Sequence, residues 1–439
     1  MRLKHYLILL CAMLLNTVAN AAPLVIEITK GVEDALPIAI VPFIVEGVPP
    51  AEAGKRPSQE IASIIRNDLA RTGRFRSFAV KDMLEKPSDP KDIKFQNWRI
   101  MGVENLVIGK VRYLGADRYD VSFWLFDVFK AKQLPSYNIP GKESSLRATA
   151  HKISDVIYEQ LMGEPGAFST SIAYVTANDR NGETHYSLWM ADSDGENQQA
   201  LLHSKQPVMS PAWSPDGQRI AYASLEKNGR QQIFIQQWYS GRRETLEISK
   251  PGLFGAPAWS PDGKKLAFTI TYNGNAEIYV LDLGSKQPTQ LTHHWAIDTE
   301  AAWTPDGKSI IFTSDRSGKP QLYQTAASGG QVQRLTFEGS ENARASVSPD
   351  GRYVAMAHKD NGDFIAVLDL KSGQLQVLPT EGQFAESPSF APNGSMIIYA
   401  TTKGNRAELA AVSVDGRITQ SLTYDEDVRD PAWSPLNKK

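Results

Sequence analysis

"PAWSPDG" occupies 211–217, and the same seven letters return at 257–263. A heptapeptide written twice is either a catalytic signature in two copies or a turn that the architecture needs once per unit. More copies follow. "AAWTPDG" ends at Gly307, "ASVSPDG" at Gly351 and "PSFAPNG" at Gly394, and a shortened "PAWSPLN" ends at Asn437. The bulky position of each copy falls at Trp213, Trp259, Trp303, Val347, Phe390 and Trp433, at intervals of 46, 44, 44, 43 and 43 residues. Such a period marks a repeat architecture. Within S-P-D-G, Pro presets φ for the first central turn position, Asp suits the second, and Gly accepts positive φ at the exit. The motif therefore reads as a tight connection between antiparallel strands.

A strand follows each turn: "RIAYAS" (219–224), "KLAFTI" (265–270), "SIIFTS" (309–314), "YVAMAH" (353–358) and "MIIYAT" (396–401). A third strand comes next, as in "EIYVLDL" (277–283), "QLYQTA" (321–326) and "FIAVLDL" (364–370). A short fourth strand ends in "LT" at Leu291-Thr292, Leu335-Thr336 and Leu422-Thr423. Four short strands per repeat make one propeller blade. Trp433 sits on an inner strand with no partner strands after it. "SIAYVT" (171–176) and "YSLWMAD" (186–192) are partner strands with no motif before them. The C-terminal strand is thus expected to complete the first blade, giving six blades and no open edge. The bulky positions are expected to pack between blades.

The 439 residues allow two or three domains. A net charge of −2 supplies no basic field for nucleic acid. The N-terminus, "MRLKHYLILLCAMLLNTVANAAP", carries Arg2 and Lys4, an apolar run over 7–15 and the A-x-A site Ala19-Asn20-Ala21. This reads as a secretory signal over 1–21, too short for a membrane span. Its removal takes the net charge to −4 and removes Cys11, the single cysteine, which rests after bulky Leu10 and makes a weak lipoprotein site. Residues 34–165 lack the repeat. "PIAIVPF" (37–43) reads as a buried strand. "PSQEIASIIRNDLARTG" (57–73), with Ile61, Ile64, Ile65 and Leu69 at helical spacing, reads as a helix stopped by Gly73. A hairpin around "GADR" joins 104–115 to 118–128. A second amphipathic helix spans 144–163, and "GEPGAF" (163–168) links to the propeller over 166–439. The expected fold is a small N-terminal α/β domain followed by a six-bladed β-propeller.

The sequence shows no G-x-S-x-G elbow, no Walker loop and no H-E-x-x-H. His293-His294 on a strand would point to opposite faces, poor geometry for one metal. "DSDGEN" (192–197) resembles part of a calcium loop but lacks the distal Glu and falls at a blade hairpin. No metal, cofactor or catalytic group is expected. Propellers commonly bind at the mouth of the central channel, where the inner strands begin. Three residues before each bulky position stand Ser210, Ala256, Glu300, Arg344, Ser387 and Asp430. Just outside stand Met209, Phe254, Thr299, Glu341, Glu386 and Arg429. This mixture of both charges with Met, Phe and small residues fits an interaction surface better than a catalytic cluster. The bland reading is channel filler and solvated loops.

A signal peptide, a small α/β domain and six blades on "AWSPDG…IAF…LT", with "PIAIVPF" and "GAPAWSPDG", resemble the TolB family, the periplasmic component of the Tol–Pal system of Gram-negative bacteria. The resemblance covers essentially the whole chain. It implies a non-enzymatic scaffold that binds the peptidoglycan-associated lipoprotein Pal at the propeller mouth and the inner-membrane protein TolA through the mature N-terminal segment. It further implies a role in outer-membrane maintenance and in constriction at division, with bacteriocins using the mouth in some species. On matching positions, "GAPAW" carries the Pal-facing role to Gly255 and Ala256, and "TEAAW" carries it to Thr299 and Glu300. The TolA segment falls on 22–33, with Val25, Ile26, Glu27, Ile28 and Thr29 at its centre. The sequence departs from the family pattern at Lys30, before Gly31, and at Ala22-Pro23, which begin the segment. "LVIEI" (24–28) is suited to pair as a strand, either on its own domain or on a partner's sheet edge. A monomer is expected. The competing class is a periplasmic propeller enzyme or sugar-binding protein.

Overall fold

The protein, a computed structural model, is described over residues 35–47, 57–180, 182–227, 229–422 and 426–436. The expected signal and the 22–33 segment lie outside the described residues. The N-terminal domain is built on a seven-stranded sheet. Its main path runs Phe75–Ser77, Leu36–Ile40, Asn105–Gly115, Arg118–Asp127, Lys132–Gln133. Ile44–Glu46 joins the third of these strands in parallel, and Tyr137–Lys142 joins the fourth antiparallel. Helix α1 (Pro57–Arg71) ends just before Gly73, as its sequence predicts. It presents Ile61, Ile65 and Leu69 to one sheet face. The opposite face is covered by a helix that the sequence reading omits, α2 (Phe95–Ile100), whose Trp98 is fully buried. Six residues are too few to show a helical period, and Trp98 anchors the helix with Phe95, whose ring meets Phe126 edge-on at 5.8 Å. Helix α3 (Leu146–Met162) packs beside α1 through Ile153 and Ile157 and ends at Gly163, whose φ of 78° makes the left-handed cap. The connection into the propeller is pinned: Asp155 accepts the backbone N–H groups of Phe168 (2.7 Å) and Ser169 (3.1 Å).

Six four-stranded sheets follow. In five of them the strands run outward in chain order, over 208–245, 253–290, 298–334, 341–377 and 385–422. The first blade is composite. Ser171–Arg180, Glu183–Asp192 and Gln199–Ser204 receive their inner strand from Val428–Trp433, with Trp433 opposite Ile172. The "LT" pairs fall just beyond the fourth strand in the third and fourth blades rather than within it. There Thr292 and Thr336 accept the N–H of Ile278 (3.0 Å) and Leu322 (2.9 Å), and their hydroxyls donate to Glu277 and Gln321. The fourth strand is thereby tied to the third after the ladder has ended.

The heptapeptide is a turn in every complete copy. The Gly217 N–H donates to the Ser214 carbonyl at 2.8 Å, and Gly263, Gly307, Gly351 and Gly394 repeat the bond. The five glycines have φ between 68° and 75°. The buried Ser214 hydroxyl accepts the N–H of Arg219 (2.9 Å) and donates to Asp216. Each glycine also faces the proline of the preceding blade's turn. A Cβ on Gly263 would stand 3.2 Å from Pro215, and one on Gly217 would stand 3.5 Å from Pro435. The shortened last copy thus keeps its proline against the first complete one. The bulky positions stitch the blades, as expected: the indole N–H of Trp213, Trp259 and Trp303 each donates at 3.1 Å to the Ala432, Ala212 and Ala258 carbonyls of the preceding blade.

Candidate binding site at the propeller mouth

Each inner strand carries one extra residue midway. Its register against the second strand shifts between Met209 and Ala212, Gly255 and Ala258, Thr299 and Ala302, Ala343 and Ser346, Glu386 and Ser389, and Arg429 and Ala432. The bulge places Ser210, Ala256, Glu300, Arg344, Ser387 and Asp430 in the left-handed region, with φ from 47° to 57°. These are the six residues that the repeat spacing places at the mouth. A non-glycine residue at positive φ is costly, and here the cost recurs six times around one axis. The bulge turns each of these residues toward the channel, where they and the residues that follow them enclose a cavity of about 150 Å³.

The floor of the mouth is an ion network. Arg344 Nε lies 3.1 Å from Glu300 Oε1, and its Nη1 lies 2.9 Å from Asp430 Oδ1 and also reaches Ser387 Oγ. The Arg344 N–H donates to Glu300 (3.2 Å) and to Thr313 Oγ1 (3.1 Å), while the Ser210 N–H donates to Asp430 Oδ2 at 3.0 Å. Burial alone would lower the pKa of the guanidinium. Asp430, Glu300 and Glu386 outweigh it and hold the group firmly charged. Five blades are joined this way, and only Ala256 of the third brings no polar side chain. Glu300 and Arg344 are therefore bonded to one another rather than presented separately.

Of the outer positions, Glu386 and Arg429 are exposed, and Met209, Thr299, Glu341 and Gly255 are half-buried. Phe254 differs. It is 3% exposed and packs against Phe268, so it supports the wall rather than the surface. Strand alternation turns its neighbour Leu253 outward instead. Leu253, Trp295, Ile297, Phe337 and Phe384 are all exposed on the segments that lead into four consecutive inner strands, Trp295 by 79% and Phe337 by 73%. These rim residues escape the sequence reading. Their signal is an aromatic or aliphatic residue inside a turn-rich stretch, as in "HHWAIDTE" and "EGQFAES". His293-His294 lie in that loop and not on a strand, and His294 Nδ1 accepts the Ala296 N–H at 3.1 Å. "DSDGEN" forms a hairpin turn whose Asp192 and Asp194 pair with Arg147.

The mouth lies at the opposite end of the channel from the N-terminal domain. The heptapeptide turns of the fifth and sixth blades face that domain, with the Asn393 amide donating to the Pro165 carbonyl at 3.0 Å. Fold and site together define a six-bladed β-propeller with an appended α/β domain and a channel mouth lined by one residue from each blade. Residues 24–134 match the TolB amino-terminal domain, and residues 158–437 match the TolB beta propeller domain. The Tol-Pal system protein TolB of Nitrosococcus oceani is 54% identical over 94% of both chains. That of Thioalkalivibrio sulfidiphilus is 50% identical over 99% of this chain and 98% of its own. The crystal structure of TolB from Acinetobacter baumannii superposes with a TM-score of 0.83 at 40% identity, covering 94% of this chain and all of that one. The chain belongs to the TolB family.

Proposed function

We propose that the chain is a non-enzymatic periplasmic scaffold of the Tol–Pal system that binds Pal over the propeller mouth. The observation that carries this reading is the mouth itself: an apolar rim over a closed ionic floor, spread across several blades. Aromatic side chains ringed by polar ones are the usual anchors of a protein interface. The network below them uses its own charges internally, which fits docking better than catalysis. The relatives' shared designation as Tol-Pal system proteins supports the same assignment. Calorimetry with purified Pal tests it. Ala256→Tyr fills the one gap in the polar ring and is expected to weaken binding strongly. Trp295→Ala is expected to cost tenfold or more, about 1.4 kcal/mol. If both variants fold and bind like the parent, Pal docks elsewhere.

The same scaffold would be exported, with cleavage after Ala21, so that mass spectrometry finds Ala22 first. Residues 22–33 would engage TolA by strand addition. Deleting them is expected to abolish TolA binding in a pull-down while Pal binding persists, and retained TolA binding would refute this role. The combined outcome for the cell is support of outer-membrane integrity and of constriction at division.

A further inference from the structure

The two domains meet through a buried polar cluster that the mouth does not involve. His151, on α3, is 2% exposed. Its Nδ1 lies 2.8 Å from Asp68 Oδ2 on α1, and Ser154 Oγ donates to the same oxygen at 2.7 Å. Its Nε2 has no hydrogen-bond partner. That atom looks across the domain boundary to Asp192 Oδ2 and Asp194 Oδ2, each 3.8 Å away on the "DSDGEN" turn of the first blade. Arg147 pairs with Asp192 (3.0 Å) and with Asp194. Arg71 lies 3.3 Å from Asp68 and donates to the Ser193 carbonyl at 2.8 Å. Lys152, Asp155 and Glu159 of α3 line the same boundary cavity as His151, with Lys152 exposed and Asp155 engaged by the N–H groups of Phe168 and Ser169.

Both ring nitrogens thus face carboxylate oxygens. A neutral imidazole donates from one nitrogen only. With Nδ1–H given to Asp68, a neutral ring would aim the Nε2 lone pair at two anions. Only the imidazolium offers a proton to each side. The charges agree. Asp68, Asp192 and Asp194 face Arg71 and Arg147, which leaves one negative charge in excess until the ring is protonated.

We propose that His151, as an imidazolium, is a pH-sensitive clamp that holds the N-terminal domain on the propeller and lets go of it when the proton is lost. Burial by itself would push the imidazole pKa down. Asp68, by charge and hydrogen bond, and Asp194, by charge, outweigh burial against the opposing Arg71, and the net direction is up. A raised folded-state pKa stabilises fully below the ordinary histidine value, and that contribution fades as pH rises through the raised value. Docking is therefore tight in acid-to-neutral conditions and loosens on the alkaline side.

Histidine-labelled full-length protein read by NMR from pH 5.5 to 9 gives the ionisation directly. The expected result is a His151 midpoint above the ordinary histidine value of about 6.5 that moves down in Asp194→Asn. A midpoint at or below the ordinary 6.5, or one that Asp194→Asn does not move, overturns the clamp. Interdomain distance gives the consequence. Dyes on Lys132→Cys and Ser372→Cys, in a Cys11→Ser background, should report a constant separation below the midpoint and a broadened one above it. In His151→Gln that pH response should vanish. An identical response in His151→Gln, or none in the parent, overturns the proposal. So does Zn²⁺ binding that abolishes the His151 titration, which would assign the cluster to a metal.

Discussion

Ser214 shows how much one short residue does in this fold. Its carbonyl closes the turn, its hydroxyl receives the N–H five residues on, and its proton fixes Asp216. The neighbouring Trp position adds the lateral bond. Trp259 satisfies the Ala212 carbonyl of the preceding blade, while Phe390 fills the same place in the sixth blade with no such donor. The indole proton can therefore be separated from the bulk. Trp259→Phe keeps most of the packing and removes the lateral donor to the Ala212 carbonyl, which stays paired with Ala221 in its own blade. It is expected to cost about 0.5–1.5 kcal/mol in urea unfolding. A change below a few tenths of a kcal/mol would show that water replaces the donor.

At the scale of the strand, the bulge decides what the mouth is. Two residues on the inner strand oppose one on its partner, and the extra residue swings into the channel. Six such strands deliver six side chains to one ring, where Arg344 bridges Glu300 and Asp430. Removing that cation leaves two carboxylates facing each other. Arg344→Met is expected to destabilise the propeller by about 1–3 kcal/mol, below the cost of a fully buried pair because the Arg344 side chain is 37% exposed. Arg344→Met combined with Glu300→Gln should recover part of that loss in denaturant melts. A strictly additive pair would mean that the two groups stabilise independently.

For the whole molecule the decisive bond is between the two ends of the propeller. Val428–Trp433 pairs with Ser171–Arg180, and the Ser434 N–H donates to the Ser171 carbonyl at 2.8 Å. Trp433 Nε1 reaches Thr170 Oγ1 at 2.8 Å, and Pro435 meets Gly217. Cutting residues 430–439 removes an inner strand, one member of the channel network and one proline of the turn ring together. The truncated chain is expected to melt on the order of 10 °C lower, or not to fold. Differential scanning calorimetry decides, and a melt that overlays the parent would mean that the ring closes without its last strand. The domain boundary is the weaker joint by contrast, a set of ion pairs and hydrogen bonds around His151 with no continuous sheet across it.

The sequence by itself determined the repeat, the blade count and the composite first blade. A turn written in Ser, Pro, Asp and Gly is a local device, and its spacing counts the units directly. It also determined α1 and α3, because fifteen and seventeen residues are enough for an apolar period to show. It located the ring at Ser210, Ala256, Glu300, Arg344, Ser387 and Asp430 by offset alone. It could not show that Glu300 and Arg344 neutralise one another, since they lie 44 residues apart and meet only when the blades close. Nor could it show that Phe254 faces inward while Leu253 faces out, because a bulge farther along the strand sets which residues oppose one another. The exposed rim and the His151 cluster were hidden for the same reason. Burial, pairing and charge balance belong to groups brought together by the circle of blades and by the domain docked on its far end, and no local pattern encodes them.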